Sequence, residues 1–434
     1  LTKTSPLLAD SDNDNVNDGQ EILLNGTAAA APTIFVYGTL SPLRTLVGSA
    51  SAASTVDLEG MNLTGNILAT APAGFEVSLD GSTYGSSVTF AQSGGAAFGT
   101  LYVRATSNGG SGSRGGNVAL TSTSAATQNV VTTAQVYDPP ADDDADGVPN
   151  KVEMAIGTDP ALVENFVTRT HTNYSENFNS YSVGQALNSG GWSTVTNGGL
   201  IVTNFSGRTP DVTTFTRPGS GGTNASAKIT NVLTLPVNTK SAVLKFSARS
   251  KNLANDAGLP FRSILEVLNS AGTSTLSCGL LGNTGYQVLE GASSLFAGNI
   301  TGTNAFQSTS HMYYNLTLNY NFFSNRGDLQ ASRDTLDGGN GSMSQVTTNV
   351  VASVYGAGLS DPLNWSGLKI TLNQQSGSDR MDNLLLVTDV VLLDSDGDGL
   401  ADSEETNTGT YLSAGDTGTN PHLSDTDGDG LTDG

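Results

Sequence analysis

Cysteine, basic residues and aromatic residues are all scarce in this chain of 434 residues. The single cysteine, Cys278, excludes an intramolecular disulfide. Only 18 lysines and arginines stand against 40 aspartates and glutamates, so the formal net charge is −22, and binding to the phosphates of nucleic acid is disfavoured. No apolar run is long enough to span a membrane as a helix. Because no disulfide can form within the chain, its folded state must be stabilised in another way, and bound metal can do so.

Glycine, serine, threonine and asparagine are abundant instead, and apolar residues recur in short alternating runs. Glycine alone occurs 52 times, whereas charged residues make up only 13% of the chain. This composition is typical of many short strands joined by turns, and it lacks the alanine, leucine, lysine and glutamate richness of a helical protein. The sequence therefore predicts an all-β protein, and its length predicts two or three domains.

Half of the 40 acidic residues are concentrated in four short stretches with one repeating spacing, which begin at Asp10, Asp142, Asp394 and Asp425. Side-chain oxygens recur at positions 1, 3, 5 and 9 of each stretch, and the first three stretches carry Glu at position 12. A chain that curls tightly around Ca²⁺ supplies oxygens at these positions and a backbone carbonyl at position 7. Oxygen donors without His or Cys select calcium over zinc or copper.

We therefore predict one calcium site per stretch, and we name the stretches loops 1 to 4 in chain order. The predicted ligands are Asp10, Asp12, Asp14, Val16, Asp18 and Glu21 in loop 1; Asp142, Asp144, Asp146, Val148, Asn150 and Glu153 in loop 2; Asp394, Asp396, Asp398, Leu400, Asp402 and Glu405 in loop 3; and Asp425, Asp427, Asp429, Leu431 and Asp433 in loop 4. A solvated acidic turn is the alternative interpretation of any one loop, but four repeats of one register favour metal binding.

Turns of the type Gly-Thr-Asp/Asn-Pro accompany these loops, at Gly157–Pro160 after loop 2 and at Gly418–Pro421 before loop 4. The combination resembles thrombospondin type 3 repeats and their bacterial relatives, over residues 1–27, 140–163 and 391–434. The resemblance implies a structural role, in which calcium stiffens the chain between domains. A calcium-sensor role is the alternative, but no amphipathic helix precedes any loop, which also disfavours EF-hands.

Residues 31–138 have the alternating pattern of a β-sandwich, with clear runs at Phe75–Val77, Leu101–Val103 and Val118–Leu120. Together with the stretch Asn62-Leu-Thr-Gly-Asn-Ile67, they resemble an Ig-like repeat that is common in secreted bacterial surface proteins. Such domains act mainly as spacers. The resemblance therefore implies no chemistry for this part of the chain.

Residues 165–390 open with Glu176–Gly184 and Trp192 and close with Arg380–Val387. These segments resemble the first and last strands of concanavalin-like or carbohydrate-binding jelly rolls, which pair side by side. The strand candidates between them are Ala242–Ala248, Ser263–Leu268, Tyr313–Tyr320 and Gly367–Leu372. The resemblance implies a large two-sheet sandwich, with Asp382 either assisting a structural calcium or occupying a turn or edge.

Sugar-binding sites usually contain exposed aromatic rings that stack on the sugar. The candidates are Trp192, Tyr313, Tyr314, Tyr320 and Trp365, and each is expected to belong to the core or its rim instead. Catalysis is not predicted, because His171, His311 and His422 lack metal-ligand or triad spacing. Cys278 is expected to be a buried small residue rather than a nucleophile.

The predicted architecture is a calcium-binding linker, an Ig-like sandwich, a second calcium-binding linker, a jelly-roll sandwich and tandem calcium loops, at residues 1–30, 31–138, 139–164, 165–390 and 391–434. The favoured interpretation is a non-catalytic, calcium-stiffened segment of a secreted bacterial fibre, stalk or adhesin, located outside the cell or on its surface. Self-association is expected. Pro6–Asp10 and Pro421–Asp425 share one register, which suggests either a repeating unit or a calcium linker that happens to recur. The alternative is a glycan-binding accessory region of a secreted polysaccharide-active protein.

Overall fold

The chain separates into two compact units, Leu1–Val163 and Glu164–Gly434, in a computed structural model of the protein. The structure describes residues 31–123, 125–182, 185–188, 191–195, 200–203, 212–214, 225–249, 263–281, 285–290, 293–299, 313–333, 361–372 and 380–434. The described residues are mainly strands, with one α-helix of 7 residues, α1 (Asn150–Ile156). The all-β fold predicted from the composition is therefore confirmed. No described helix is both long and apolar enough to cross a bilayer.

Two sheets form the first unit. Its strands are β1 (Thr33–Tyr37), β2 (Leu43–Leu46), β3 (Ser54–Met61), β4 (Ile67–Thr70), β5 (Phe75–Ser78), β6 (Ser87–Phe90), β7 (Ala97–Ala105), β8 (Gly112–Thr121) and β9 (Gln128–Tyr137). A 4-stranded sheet has the order β1-β3-β7-β5, and a 5-stranded sheet has the order β2-β9-β8-β4-β6. Every pair is antiparallel except β2 with β9, which run parallel.

Alternation of apolar and polar residues explains why these two sheets pack together. Leu101 and Val103 of β7 and Val118 and Leu120 of β8 are all 0% exposed. They belong to one hydrophobic cluster to which both sheets contribute. Each strand thus buries one face, as a period of two residues requires. The sandwich expected in this part of the chain is present, and its assignment to the Ig-like class stays a prediction.

The second unit contains two larger sheets. Its strands are β10 (Phe166–Glu176), β11 (Ser193–Thr194), β12 (Ile201–Thr203), β13 (Val212–Thr214), β14 (Ala225–Ile229), β15 (Thr239–Arg249), β16 (Ser263–Leu268), β17 (Ser274–Leu281), β18 (Gly285–Glu290), β19 (Ser293–Asn299), β20 (Tyr313–Asn321), β21 (Arg326–Arg333), β22 (Gly367–Leu372) and β23 (Arg380–Leu393). One 7-stranded sheet has the order β12-β13-β23-β15-β20-β21, with β10 also on β23, and the other has the order β11-β14-β22-β16-β17-β18-β19.

The first and last long strands of this unit are neighbours. Strand β10 pairs antiparallel with β23, from Phe166 opposite Leu393 to Glu176 opposite Leu384. Pairing of the first and last strands was expected from the jelly-roll resemblance, but the first strand was predicted at Glu176–Gly184, whereas β10 ends at Glu176 and residues 177–182 form turns. The pairing of β10 with β23 places the start of loop 3, which follows β23 directly, beside the first residues of β10, because the backbone N–H of Asp394 donates to the carbonyl of Asn165 at 2.9 Å.

The core between the two sheets is rich in aromatic residues. Trp192, Tyr320 and Trp365 are 3%, 1% and 1% exposed. The ring of Trp365 lies 5.9 Å from that of Tyr320 and 5.2 Å from that of Phe322. These candidates for sugar stacking are therefore core residues, while the side chains of Tyr313 and Tyr314 lie outside the described part. Cys278 is also in this core, and burial raises the pKa of its thiol, so it is poorly suited to act as a nucleophile.

Candidate calcium centres

Loops 2, 3 and 4 lie within the described residues, whereas loop 1, with Asp10, Asp12, Asp14, Val16, Asp18 and Glu21, lies outside them. Each described loop is a tight ring closed by hydrogen bonds from backbone N–H groups to carboxylates. The carboxylates are thereby turned toward the inside of the ring.

Loop 3 has the most complete geometry. Asp394 accepts hydrogen bonds from the N–H groups of Gly397 at 2.8 Å and Gly399 at 3.0 Å. Gly399 has a φ of +100°, a left-handed conformation that glycine adopts without strain. With the chain curled in this way, one carboxylate oxygen from each of Asp394, Asp396 and Asp398 lies within 4.8 Å of the others. These three predicted ligands are therefore brought together.

Loop 4 repeats this ring almost bond for bond. Asp425 accepts from the N–H groups of Gly428 and Gly430, each at 2.8 Å. Its carboxylate lies within 4.8 Å of those of Asp427 and Asp429. Because the same local hydrogen bonds recur in a separate stretch, the ring is a property of the shared residue pattern rather than of one environment.

Loop 2 brings Asp144, Asp146 and Glu153 together, again with oxygens within 4.8 Å. Glu153 is 0% exposed and lies in the first turn of α1, which begins at position 9 of the loop rather than preceding the loop. Asp142 accepts from the N–H of Gly147 at 3.0 Å. Burial raises the pKa of Asp144, and its Oδ2 accepts no hydrogen bond from the described part of the chain.

The residue at position 7 also takes part in closing each ring. The N–H groups of Val148, Leu400 and Leu431 donate to the carboxylate at position 5 of their own loops, at 2.9, 2.8 and 2.9 Å. The prediction assigned the carbonyl groups of these residues to calcium. That assignment stays a prediction.

The residue at position 9 has a role that the spacing did not reveal. In each described loop, its side-chain oxygen accepts from the backbone N–H at position 2. Asn150 accepts from Asp143 at 3.2 Å, Asp402 from Ser395 at 2.7 Å, and Asp433 from Thr426 at 3.1 Å. Position 9 therefore fastens the two ends of the ring, a function that both an amide and a carboxylate can perform.

Loops 3 and 4 meet through a second group of carboxylates. Glu405, at position 12 of loop 3, has an oxygen within 4.8 Å of oxygens of Asp398 and of Asp433 in loop 4. Spacing alone had assigned Glu405 to its own loop. Asp398 thus belongs to two groups, the ring of loop 3 and a group between the loops.

The residues between the loops form a folded connector. The N–H of Asn407 donates to the carbonyl of Thr419 at 2.7 Å, and the N–H of Gly409 donates to that of Gly418 at 2.8 Å. The backbone turns back at an isolated bridge between Ser413 and Asp416. This hairpin brings loop 4 back to loop 3.

The electrostatics of the group between the loops favour a cation. Glu405 is 4% exposed, and its Oε2, like the Oδ2 atoms of Asp396 and Asp398, is buried without a hydrogen bond among the described residues. Burial, followed by the charges of Asp396, Asp398 and Asp402, raises the pKa of Glu405. Burial, followed by the charge of Asp398, raises the pKa of Asp396. A hard divalent cation would relieve both the desolvation and the repulsion of these oxygens.

Asp382 does not join any of these groups. It is 3% exposed and accepts from the N–H of Asn383 at 2.8 Å, at an irregularity of β23 where Asn383 has a φ of +53°. Its side chain therefore helps to shape the strand, and the choice between the two alternatives considered for it stays a prediction.

Arg169 of β10 fastens loop 3 to the sandwich. Its guanidinium donates to both carboxylate oxygens of Glu404, at 2.8 and 2.6 Å, and to the carbonyl of Gly399 at 2.9 Å. Glu404 in turn accepts from the N–H of Ala401 at 3.0 Å. A planar fork of donors is needed to reach these acceptors together.

We expect Arg169→Lys to loosen loop 3 although it keeps the charge, because an ammonium cannot reproduce the paired hydrogen bonds. Amide hydrogen exchange should become about 3- to 10-fold faster at Ala401 and Gly399, which corresponds to roughly 1 kcal/mol for a partly exposed pair. Arg44→Lys, which alters the ion pair with Asp159 in the first unit, is the matched control and should leave these amides unchanged. Unaltered exchange at loop 3 in Arg169→Lys would contradict the fastening role.

Comparisons with known proteins place no family name on this chain. No protein-family model and no curated protein matches the sequence. Among solved structures, lectin II from Ulex europaeus is similar with 9% identity over 51% of this chain and 99% of the lectin, at a TM-score of 0.30. Peanut lectin is similar with 12% identity over 52% of this chain and 98% of the lectin, at a TM-score of 0.32. The exoplasmic/lumenal domain of VIP36, in a Ca²⁺/Man-bound form, is similar with 9% identity over 50% of this chain and 91% of that domain, at a TM-score of 0.30. Similarity at this sequence identity and TM-score carries no conclusion about the ligand or the activity of this chain.

Proposed function

We propose that this chain is a non-catalytic, calcium-stabilised structural segment of a secreted bacterial fibre, stalk or adhesin. The observation that carries the proposal is the convergence of Asp398, Glu405 and Asp433 from two loops, with a buried Glu405 oxygen that has no hydrogen bond among the described residues. Calcium at such a group joins two segments of chain that are otherwise held apart by like charge.

The wider interpretation follows from the sequence pattern. The loops are of the thrombospondin type 3 kind, the first sandwich is Ig-like, and loops at residues 1–30, 139–164 and 391–434 connect or flank the sandwiches at 31–138 and 165–390. Extracellular modules bind calcium with dissociation constants of about 10⁻⁴ to 10⁻³ M, so an extracellular or cell-surface location would keep such sites filled. Self-association into a fibre or tandem array is the partner that this role implies.

The proposal is tested by amide hydrogen exchange of the full chain in 1 mM Ca²⁺ and in EDTA. For a site with a dissociation constant of about 10⁻⁴ M, calcium should slow exchange about tenfold in loops 3 and 4. The sandwich strand β7 is the internal control and should exchange alike in both conditions. Electron microscopy of the same samples should show filaments or stiff rods only with calcium.

Equal exchange of loops 3 and 4 in calcium and in EDTA would overturn the calcium-stabilised role. Protection by Ca²⁺ without any assembly in electron microscopy would retain the metal sites and overturn the fibre. Protection by Mg²⁺ equal to that by Ca²⁺ would contradict calcium selectivity, because Mg²⁺ demands a smaller octahedral cage.

A further inference from the structure

The outer face of the 4-stranded sheet in the first unit carries two carboxylates on one strand. Val56 and Leu58 of β3 face the core and are 3% and 2% exposed. Asp57 and Glu59 alternate with them and therefore project from the opposite face of the sheet. At the rise of a β-strand, the Cα atoms of these two residues are about 7 Å apart. Neither carboxylate has an ion-pair partner in the described part of the chain.

Aromatic side chains flank the two carboxylates on both neighbouring strands. Glu59 lies opposite Phe35 of β1 and Phe98 of β7, and Asp57 lies opposite Tyr37 of β1. Tyr37 and Phe98 are 53% and 83% exposed. Side chains that lie directly opposite each other in a sheet are close enough to contact the same ligand. We call Phe35, Tyr37, Asp57, Glu59 and Phe98 together the acidic–aromatic face.

Hydrogen bonds hold both carboxylates in place on this face. The hydroxyl of Tyr37 donates to Oε2 of Glu59 at 2.6 Å, and the hydroxyl of Thr100 donates to Oδ1 of Asp57 at 2.7 Å. Among the described residues, the second oxygen of each carboxylate accepts no hydrogen bond. Side chains that are already held in one geometry lose little entropy when a partner binds. Each carboxylate is thus fixed by one oxygen and available to a ligand through the other.

The same sheet contains an example of what this combination of side chains holds. Arg104 projects from the same face of β7, and its Nε donates to Oε1 of Glu76 at 2.6 Å. The centre of its guanidinium lies 3.7 Å from the centre of the Tyr84 ring. A cation between a carboxylate and an aromatic ring gains from both the charge and the π-system. At Arg104 the chain supplies this cation itself, whereas the acidic–aromatic face has carboxylates and rings without one.

The other sheet of this sandwich has a different outer face. There β8 presents Asn117 and Thr121, and β9 presents Asn129, Val131 and Thr133. These residues are neutral and carry no aromatic ring. The acidic–aromatic combination is therefore a property of one face rather than of the whole surface of the unit.

Charge and spacing together define the occupant of the acidic–aromatic face. A second copy of the chain would bring a formal net charge of −22 toward two carboxylates and would be repelled. A basic partner would be attracted. In an extended segment, residues two apart project on the same side and are separated by about 7 Å, which is the spacing of Asp57 and Glu59.

We propose that the acidic–aromatic face binds an extended segment of another protein in which lysine or arginine recurs at every second residue. One cation contacts Glu59 between the rings of Phe35 and Phe98, and the next contacts Asp57 beside Tyr37. The face contains none of the calcium-loop residues, so this partner is independent of the calcium-stabilised role and is tested separately from it.

The test measures the binding of fluorescently labelled eight-residue peptides to the full chain by fluorescence anisotropy, in about 1 mM Ca²⁺ to keep the calcium loops occupied. The probe alternates threonine and lysine. The control peptide, Lys-Lys-Thr-Thr-Lys-Lys-Thr-Thr, has the same composition and charge but no two lysines separated by one residue. At low ionic strength, the alternating peptide should bind with a dissociation constant below about 1 mM and roughly threefold or more tightly than the control peptide.

Two variants of the face should weaken this binding. Asp57→Asn combined with Glu59→Gln removes both charges and keeps acceptors for the hydroxyls of Thr100 and Tyr37, and it should raise the dissociation constant about tenfold. Phe98→Thr removes an exposed ring without touching the core, and it should raise the dissociation constant about threefold. Circular dichroism and the thermal midpoint of both variants should match the parent chain, so that lost binding cannot come from unfolding.

The matched control variant combines Asp328→Asn with Asp389→Asn in the second unit. It removes the same number of charges, and Asp389 also accepts from hydroxyls, those of Thr170 at 2.7 Å and Ser241 at 2.8 Å. The alternating peptide should bind this variant as it binds the parent chain.

Equal affinity for the two lysine peptides would overturn the proposal, because unspecific attraction to a chain of net charge −22 predicts that result. Undiminished binding to the Asp57→Asn, Glu59→Gln variant, or an equal loss in the control variant, would overturn it as well. Self-association of the parent chain that the same variant abolishes would assign the face to a second copy and would also contradict the proposal.

Discussion

Asp398→Asn is expected to remove two calcium sites from the chain at once. Asp398 contributes to the ring of loop 3 with Asp394 and Asp396 and also to the group shared with Glu405 and Asp433. The amide is nearly isosteric and can still accept from the N–H of Leu400, which the carboxylate accepts from at 2.8 Å. The variant therefore removes charge while retaining the loop, and calcium affinity depends on the number of charged ligands.

Asp429→Asn is the matched control for this result. Asp429 holds the same position in loop 4 and accepts from the N–H of Leu431 at 2.9 Å, but it belongs to one carboxylate group only. Equilibrium dialysis or titration calorimetry of the full chain counts the sites with dissociation constants below about 1 mM. Asp398→Asn should lower this number by two and Asp429→Asn by one. Equal losses in the two variants would show that no ion is shared between loops 3 and 4.

Trp365→Ala is expected to destabilise the second unit by about 4 kcal/mol, which is the range for removing a large aromatic side chain from a core. Trp365 is 1% exposed and packs against Tyr320 and Phe322. Its indole nitrogen has no hydrogen-bond partner among the described residues, so the loss is one of packing. For a unit of this size, the thermal midpoint should fall by about 10 °C.

The two units should give separate transitions in calorimetry, because each has its own hydrophobic cluster. Trp365→Ala should move one transition, and Phe75→Ala, in the core of the first unit, should move the other. Trp365→Phe keeps most of the ring contacts and should cost about 1–2 kcal/mol. A common shift of both transitions in Trp365→Ala would mean that the units unfold as one body.

Much of the fold could be predicted because a strand displays its buried face every second residue. The predicted strand at Gly367–Leu372 coincides with β22, and the predicted strand at Ser263–Leu268 coincides with β16. The short strands β11, β12 and β13 were not predicted. They contain only 2 or 3 residues, too few to show a period, and their pairing depends on β14 and β23.

The candidate calcium sites could be predicted only where their residues lie close together in the sequence. The rings at Asp394–Asp398 and Asp425–Asp429 follow from glycine positions and carboxylate spacing within a few residues. The contact of Glu405 with Asp433 depends on how the connector folds, and no local spacing encodes it.

The hairpin between loops 3 and 4 allows the chain to be lengthened without changing the geometry of either loop. The pairing of Asn407 with Thr419 and of Gly409 with Gly418 sets the distance between the loops near its base. Its tip carries Tyr411 and Leu412, which are 68% and 70% exposed. Extra residues inserted at the tip would project into solvent and leave the base in place. Evolution, or an experimenter adding an epitope or a fluorescent label, can therefore lengthen the chain at residues 411–415 while both acidic rings keep their register.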